Sequence, residues 1–261
     1  MESTPSSPWA IRDPIFIYFG GLAATILALL VAVLFGFIDI DTIDSDEQLP
    51  RLIMVAALAQ YAAMYLGLKL LSALKGTGDF KNDFHLHVSS RDWPFFFYGV
   101  GALFALGIAL TLFLDAIGVE APTQEVVEAA RASDSLGEKA VILLAIAVLA
   151  PILEEMLFRG VLQDALKVRM SVTGAVWITG IVFGLVHLTD PAALALVPAL
   201  IVLGIVLGLV REHGSGSLSR PILMHMGFNA VTAVGLIRAI YSCQLRVTSF
   251  QLPESCQLPA A

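Results

Sequence analysis

Charge is what this chain has least of. Only 14% of its 261 residues are Asp, Glu, Lys or Arg, where a soluble domain carries about 25%. So few charges cannot solvate a globule of this length, which excludes an ordinary water-soluble fold. No basic run occurs and the formal net charge is −7, which argues against nucleic acid as a partner. Cysteine is nearly absent. Cys243 and Cys256 make neither a disulfide framework nor a Cys-based zinc site, and a bond between them needs an oxidising face. No H-E-x-x-H string is present, so the usual zinc-protease signature is missing. The first 13 residues lack the short apolar core and small-residue site of a cleavable leader.

What the chain does have is apolar length: 57% hydrophobic residues and a mean hydropathy of +0.83. About 20 apolar residues span a bilayer. Ile15–Ile38, Leu52–Leu74, Pro94–Leu114, Lys139–Leu166, Met170–Thr189, Pro191–Val210 and Pro221–Ile237 are the expected spans. The predicted fold class is therefore all-α, a polytopic transmembrane bundle of about seven helices, or eight if a loop segment re-enters. The expected divisions are three membrane helices in 1–118, an extramembrane linker 119–138, a four-helix membrane core 139–240 and a tail 241–261.

Basic residues gather in 75–91, 159–169 and 211–220, and acidic ones in Asp39–Glu47 and Glu120–Glu138. The positive-inside rule then predicts a cytoplasmic N-terminus. Gly180 and Gly184, and Gly204 and Gly208, have the small-xxx-small spacing that lets helix backbones approach in lipid.

Ionisable side chains inside spans are costly, and here they cluster in the last four. Glu154, Glu155 and Arg159 form E-E-x-x-x-R, Phe183 and His187 form F-x-x-x-H, and His225 and Asn229 form H-x-x-x-N. Each four-residue gap puts its two members on one helix face. Glu155 is set to pair with Arg159, while Glu154 points about 100° away. Each motif alone has a plain reading: an interfacial ion pair, or a histidine bonding two helices. Three motifs on separate helices of one apolar bundle point instead to a shared site. His85, His87 and His213 read as solvated loop residues.

This ordered trio resembles the CPBP (Abi, type II CAAX-prenyl endopeptidase) intramembrane protease family, over about residues 138–240. The resemblance implies peptide-bond hydrolysis within the membrane. It assigns Glu154 as general base, His187 as its helper in activating water, and His225 and Asn229 as oxyanion donors. Glu155, Arg159 and Phe183 organise the site. No cofactor is expected to be required; zinc, which would draw on His187, His225 and Glu154, is the less favoured alternative. The expected partners are membrane lipid and a peptide or protein substrate, lipidated or not, with no nucleic acid. The expected location is the bacterial inner membrane. A non-enzymatic transporter or scaffold, and a zinc hydrolase, are the rival readings. One difficulty stands in the predicted depths: His225 lies roughly 6 Å into its helix and His187 roughly 26 Å into its own, at 1.5 Å per residue.

Overall fold

The computed structural model describes residues 7–43, 45, 47–119, 128–129, 132–133, 135–188, 194–213 and 216–230. Among them there is no strand. The long helices are α1 (Arg12–Leu34), α2 (Leu49–Lys75), α3 (Pro94–Ile117), α4 (Leu136–Lys167), α5 (Val172–Leu185) and α6 (Val197–His213). Residues 219–230 form α7. The first four are long and apolar enough to cross a membrane; α5 is apolar but has only 14 residues. The described residues are all-helical, and the chain is an integral membrane protein.

Helix ends follow backbone chemistry. Proline stands in the first turn of α2 and α3, where its missing N–H costs nothing. At the far end of α3, Gly118 adopts a left-handed φ of 71° and donates to the carbonyls of Asp115 and Leu114, closing the helix. Ser135 and Ser171 cap α4 and α5 by accepting the N–H groups of Glu138 and Gly174, which satisfies donors a helix start leaves free.

α4 is the central helix. Half of its most apolar stretch is buried inside the bundle, whereas α1, α2 and α3 turn most of theirs outward. Phe16, Leu27, Leu30 and Leu34 on α1 and Phe97, Ile108 and Leu112 on α3 are exposed, as lipid-facing side chains should be. The glycine spacing is a packing device between α5 and α6. A Cβ on Gly180 would stand 2.7 Å from the Ile205 nitrogen, and one on Gly204 2.8 Å from the Gly180 carbonyl oxygen. A second close crossing joins α3 to α7: a Cβ on Gly99 would overlap the Met224 carbonyl, and one on Gly227 that of Phe96.

Two of the boundaries that differ from the sequence expectation bear on the site. α5 ends at Leu185 rather than Thr189, so His187 stands on the turn beyond it. α6 continues to His213, so Arg211 is a buried helix residue and not a loop charge. Its guanidinium donates to the Arg159 carbonyl and pairs with Asp164 at 2.7 Å. His85, His87 and His213 are exposed, as expected. The tail 241–261 with both cysteines, and most of the 119–138 linker, lie outside the described residues. Within that linker Ala129 and Ser133 are buried, and Ala129 lies in a cluster with Ile142, Leu49 and Ile53.

The loop 76–93 holds the start of α7. The His85 carbonyl accepts from Leu218 N–H at 3.1 Å and Ser217 Oγ donates to the His87 carbonyl at 2.9 Å. Asp92 accepts from Ser219 Oγ at 2.7 Å and Arg220 Nε at 2.8 Å. These bonds fix the axial position of α7, and with it His225.

Candidate active site

The site is built on a distorted stretch of α4. Ala145–Leu149 and Met156–Gln163 are wound as π-helix, with a short α-helical segment, Ala150–Glu155, between them. Such bulges are uncommon and recur at functional sites. The local cause is legible at Pro151. Ala150 N–H bonds five residues back, to the Ala145 carbonyl. In that register the Ile146 carbonyl would need a proton from Pro151, which has none. Asn229 Nδ2 on α7 donates to the Ile146 carbonyl instead, at 3.0 Å. An unsatisfied buried carbonyl costs about 1–3 kcal/mol, so this bond ties α7 to α4 at the site. The carboxamide has a second N–H and its oxygen left for the cavity.

The adjacent glutamates take different surroundings. Glu155 is wholly buried and its Oε1 accepts from Arg159 Nη1 at 2.7 Å, one helical step away. The same oxygen lies 3.0 Å from His225 Nδ1. Arg159 donates from Nη2 to the Gly204 carbonyl at 2.8 Å and lies 4.6 Å over the Phe183 ring. Phe183 is the hub of an aromatic cluster, with the rings of Phe158, His187 and His225 at 5.4, 4.9 and 5.6 Å. Glu154 faces away from this buried pair. Its carboxylate reaches a cavity, 4.0 Å from His225 Nε2.

Both histidines present the same nitrogen. His187 Nδ1 lies 2.7 Å from the Phe183 carbonyl. A carbonyl only accepts, so Nδ1 carries the proton and Nε2 is left for other chemistry. His225 likewise spends Nδ1 on Glu155 and turns Nε2 toward Glu154. The depth difficulty does not keep the two histidines apart, because both rings pack against Phe183, at 4.9 and 5.6 Å.

A cavity of about 470 Å³ is lined by Glu154, Phe183, His187, His225 and Asn229, with a largely apolar wall from α3 and α6 that includes Leu103, Leu106 and Leu200. Glu155 and Arg159 are buried and do not line it. All seven residues singled out in the sequence therefore come together. Sequence reasoning passed over Tyr61 and Tyr18. Tyr61, on α2, lines the cavity, and Tyr18 Oη on α1 donates to the Val186 carbonyl at 3.0 Å, holding the turn that carries His187. The signal was present: a phenol within an apolar span needs a hydrogen-bond partner.

Among the described residues no three His, Cys, Asp or Glu side chains converge closely enough to hold a metal ion.

Residues 136–231 match the family described as type II CAAX prenyl endopeptidase, Rce1-like. That segment is similar to the Rce1-like endopeptidases. It begins at the start of α4 and takes in every residue of the E-E-x-x-x-R, F-x-x-x-H and H-x-x-x-N motifs, whereas α1, α2 and α3 lie outside it. No curated protein and no solved structure matches the chain.

Proposed function

We propose that this chain is an intramembrane endopeptidase in which Glu154 and His187 activate a water without a metal. One observation carries the reading: Glu154 is the carboxylate that faces the cavity, on a wall shared with His187, His225 and Asn229, while Glu155 is buried and locked to Arg159. In the proposed reaction Glu154 takes a proton from water, with His187 Nε2 orienting it. The hydroxide adds to the carbonyl carbon of the scissile peptide. The oxyanion that forms is met by Asn229 Nδ2–H and by His225 Nε2–H when that imidazole is doubly protonated. Glu154 then passes its proton to the departing nitrogen, the C–N bond breaks, and a carboxylate and an amine leave. General acid–base catalysis of this kind is worth about 10²–10⁴ in rate, and each oxyanion donor about 10²–10³. The apolar wall suits an apolar or lipidated peptide. Seven membrane helices, a bacterial inner-membrane location and a cytoplasmic N-terminus complete the proposal.

The test is cleavage of a peptide library, with and without prenylation, by purified protein in detergent or nanodiscs, before and after exhaustive chelation. Cleavage that survives chelation, with well under one zinc per chain, supports the reading. Binding without cleavage would recast the chain as a carrier, and activity restored only by stoichiometric zinc would recast Glu154, His187 and His225 as ligands.

A further inference from the structure

A second cavity, of about 200 Å³, lies against Glu154. Tyr18, Gln60, Tyr61 and Met64 from α1 and α2 form one part of its lining; Glu154 and His187 also face it. Glu154, Tyr61 and His187 line both cavities, so these three form the partition between them.

The two spaces differ in chemistry. The larger has long apolar walls. The smaller concentrates two phenols, a carboxamide, a carboxylate and an imidazole around a volume that holds several waters, at about 30 Å³ each. The Gln60 carboxamide and the Tyr61 hydroxyl make no hydrogen bond to another described residue. Polar groups facing a roomy void in an apolar bundle are satisfied by water, whereas apolar voids stay dry. A peptide occupying the larger cavity displaces whatever water that cavity holds. Each bond hydrolysed consumes one water, and with the peptide seated its replacement must reach Glu154 from elsewhere.

We propose that the small chamber stores the hydrolytic water and delivers it to Glu154, separately from the cavity that takes the peptide. This rests on the endopeptidase reading for its use, but not for its hydration. It also gives α1 and α2, which lie outside the matched segment, a part in the reaction: they supply the wall that holds water.

X-ray radiolysis of the full chain in nanodiscs labels side chains next to bound water, whether or not bulk solvent reaches them. Met64 and Met156 are both 1% exposed, but only Met64 borders the chamber. We expect Met64 and Tyr61 to be oxidised well ahead of Met156, in wild type and in Glu154→Gln alike. Gln60→Leu, which keeps the volume and removes the hydrogen bonds, should lower kcat about tenfold, one hydrogen bond's worth in the barrier, with KM unchanged. Equal labelling of Met64 and Met156 would show the chamber dry and overturn the proposal. A labelled Met64 with unchanged kcat in Gln60→Leu would overturn the supply role. If wild type cleaves nothing, the endopeptidase reading fails, and the labelling still decides whether the chamber is wet.

Discussion

At the scale of single residues, two adjacent glutamates are the most informative pair in the chain. Consecutive helix positions differ by about 100°, and that rotation sends Glu155 into a fully buried pair with Arg159 and Glu154 to the cavity. Opposite consequences follow for the same chemical change. Glu154→Gln should abolish turnover and leave the melting temperature near that of wild type. Glu155→Gln leaves Arg159 facing a neutral amide in a buried site. Breaking a buried pair costs about 3–5 kcal/mol, so yield and melting temperature should fall together with activity. Normal turnover in Glu154→Gln would remove it as the base. Asn229 has two duties, since one N–H serves the Ile146 carbonyl. Asn229→Ala should lower kcat by about 10²–10³, as loss of one oxyanion donor does, with a smaller effect on KM. An effect on KM alone would place Asn229 in substrate binding.

At the scale of elements, the sequence shows most where a rule is local. Pairs four apart on one helix were readable: Glu155 with Arg159, and the Phe183 and His187 rings at 4.9 Å. So was the packing role of Gly180 and Gly204, which the structure puts at the α5–α6 crossing. What could not be read depends on partners brought by other helices. The π-helical winding has no hydropathy signature, so the bond from Asn229 to Ile146 stayed hidden although Pro151 marked the place. A charged residue ends an apolar window, so in the sequence Arg211 reads as a loop charge, and only Asp164 and the Arg159 carbonyl show why it can be buried. Tyr18, Gln60 and Tyr61 reach Glu154 from helices that carry no motif.

The α3–α7 crossing gives a test at this scale. Gly99→Ala would place a methyl on the Met224 backbone, and neither backbone can yield without moving α7. Overpacking of this kind costs about 1–3 kcal/mol, and the displacement should carry His225 away from Glu155. We expect a lower melting temperature and a lower kcat together; wild-type values of both would mean that α7 does not need this approach. The loop after α2 gives a pH test. Burial alone would raise the Asp83 carboxyl, but bonds from Ser72, Thr77 and Gly78 outweigh it and hold the group below its ordinary 3.8. A carboxylate lowered in the folded state stabilises above its unfolded pKa, and that contribution is lost as pH falls through the folded value. The melting-temperature advantage of wild type over Asp83→Asn should thus hold at neutral pH and shrink below about pH 4. A gap that ignores pH would show that Asp83 acts by shape alone.

At the scale of the whole molecule, the basic segments that the sequence grouped on one side share one end of the bundle. The His85 carbonyl bonds Leu218, Asp92 bonds Arg220, and Lys167 pairs with Glu212 at 2.9 Å, so segments 76–93, 164–169 and 211–220 are joined. The acidic α1–α2 connection, with Asp39, Asp41 and Glu47, lies a full length of α2 away. Lys and Arg excess marks the cytoplasmic face, so the proposed orientation puts this end, and the start of α1 beside Lys75, in the cytoplasm. Single cysteines can test it in a chain carrying Cys243→Ser and Cys256→Ser. Arg211 is unsuitable because it is buried and paired, but Lys81, His213 and Glu47 are exposed. A membrane-impermeant thiol reagent should modify Lys81→Cys and His213→Cys from the cytoplasmic side and Glu47→Cys only from the other. Modification of Lys81→Cys and Glu47→Cys from the same side would break the scheme, because α2 separates them by about 40 Å at 1.5 Å per residue. If the scheme holds, the bonds that fix α7, and therefore His225, lie at the cytoplasmic face.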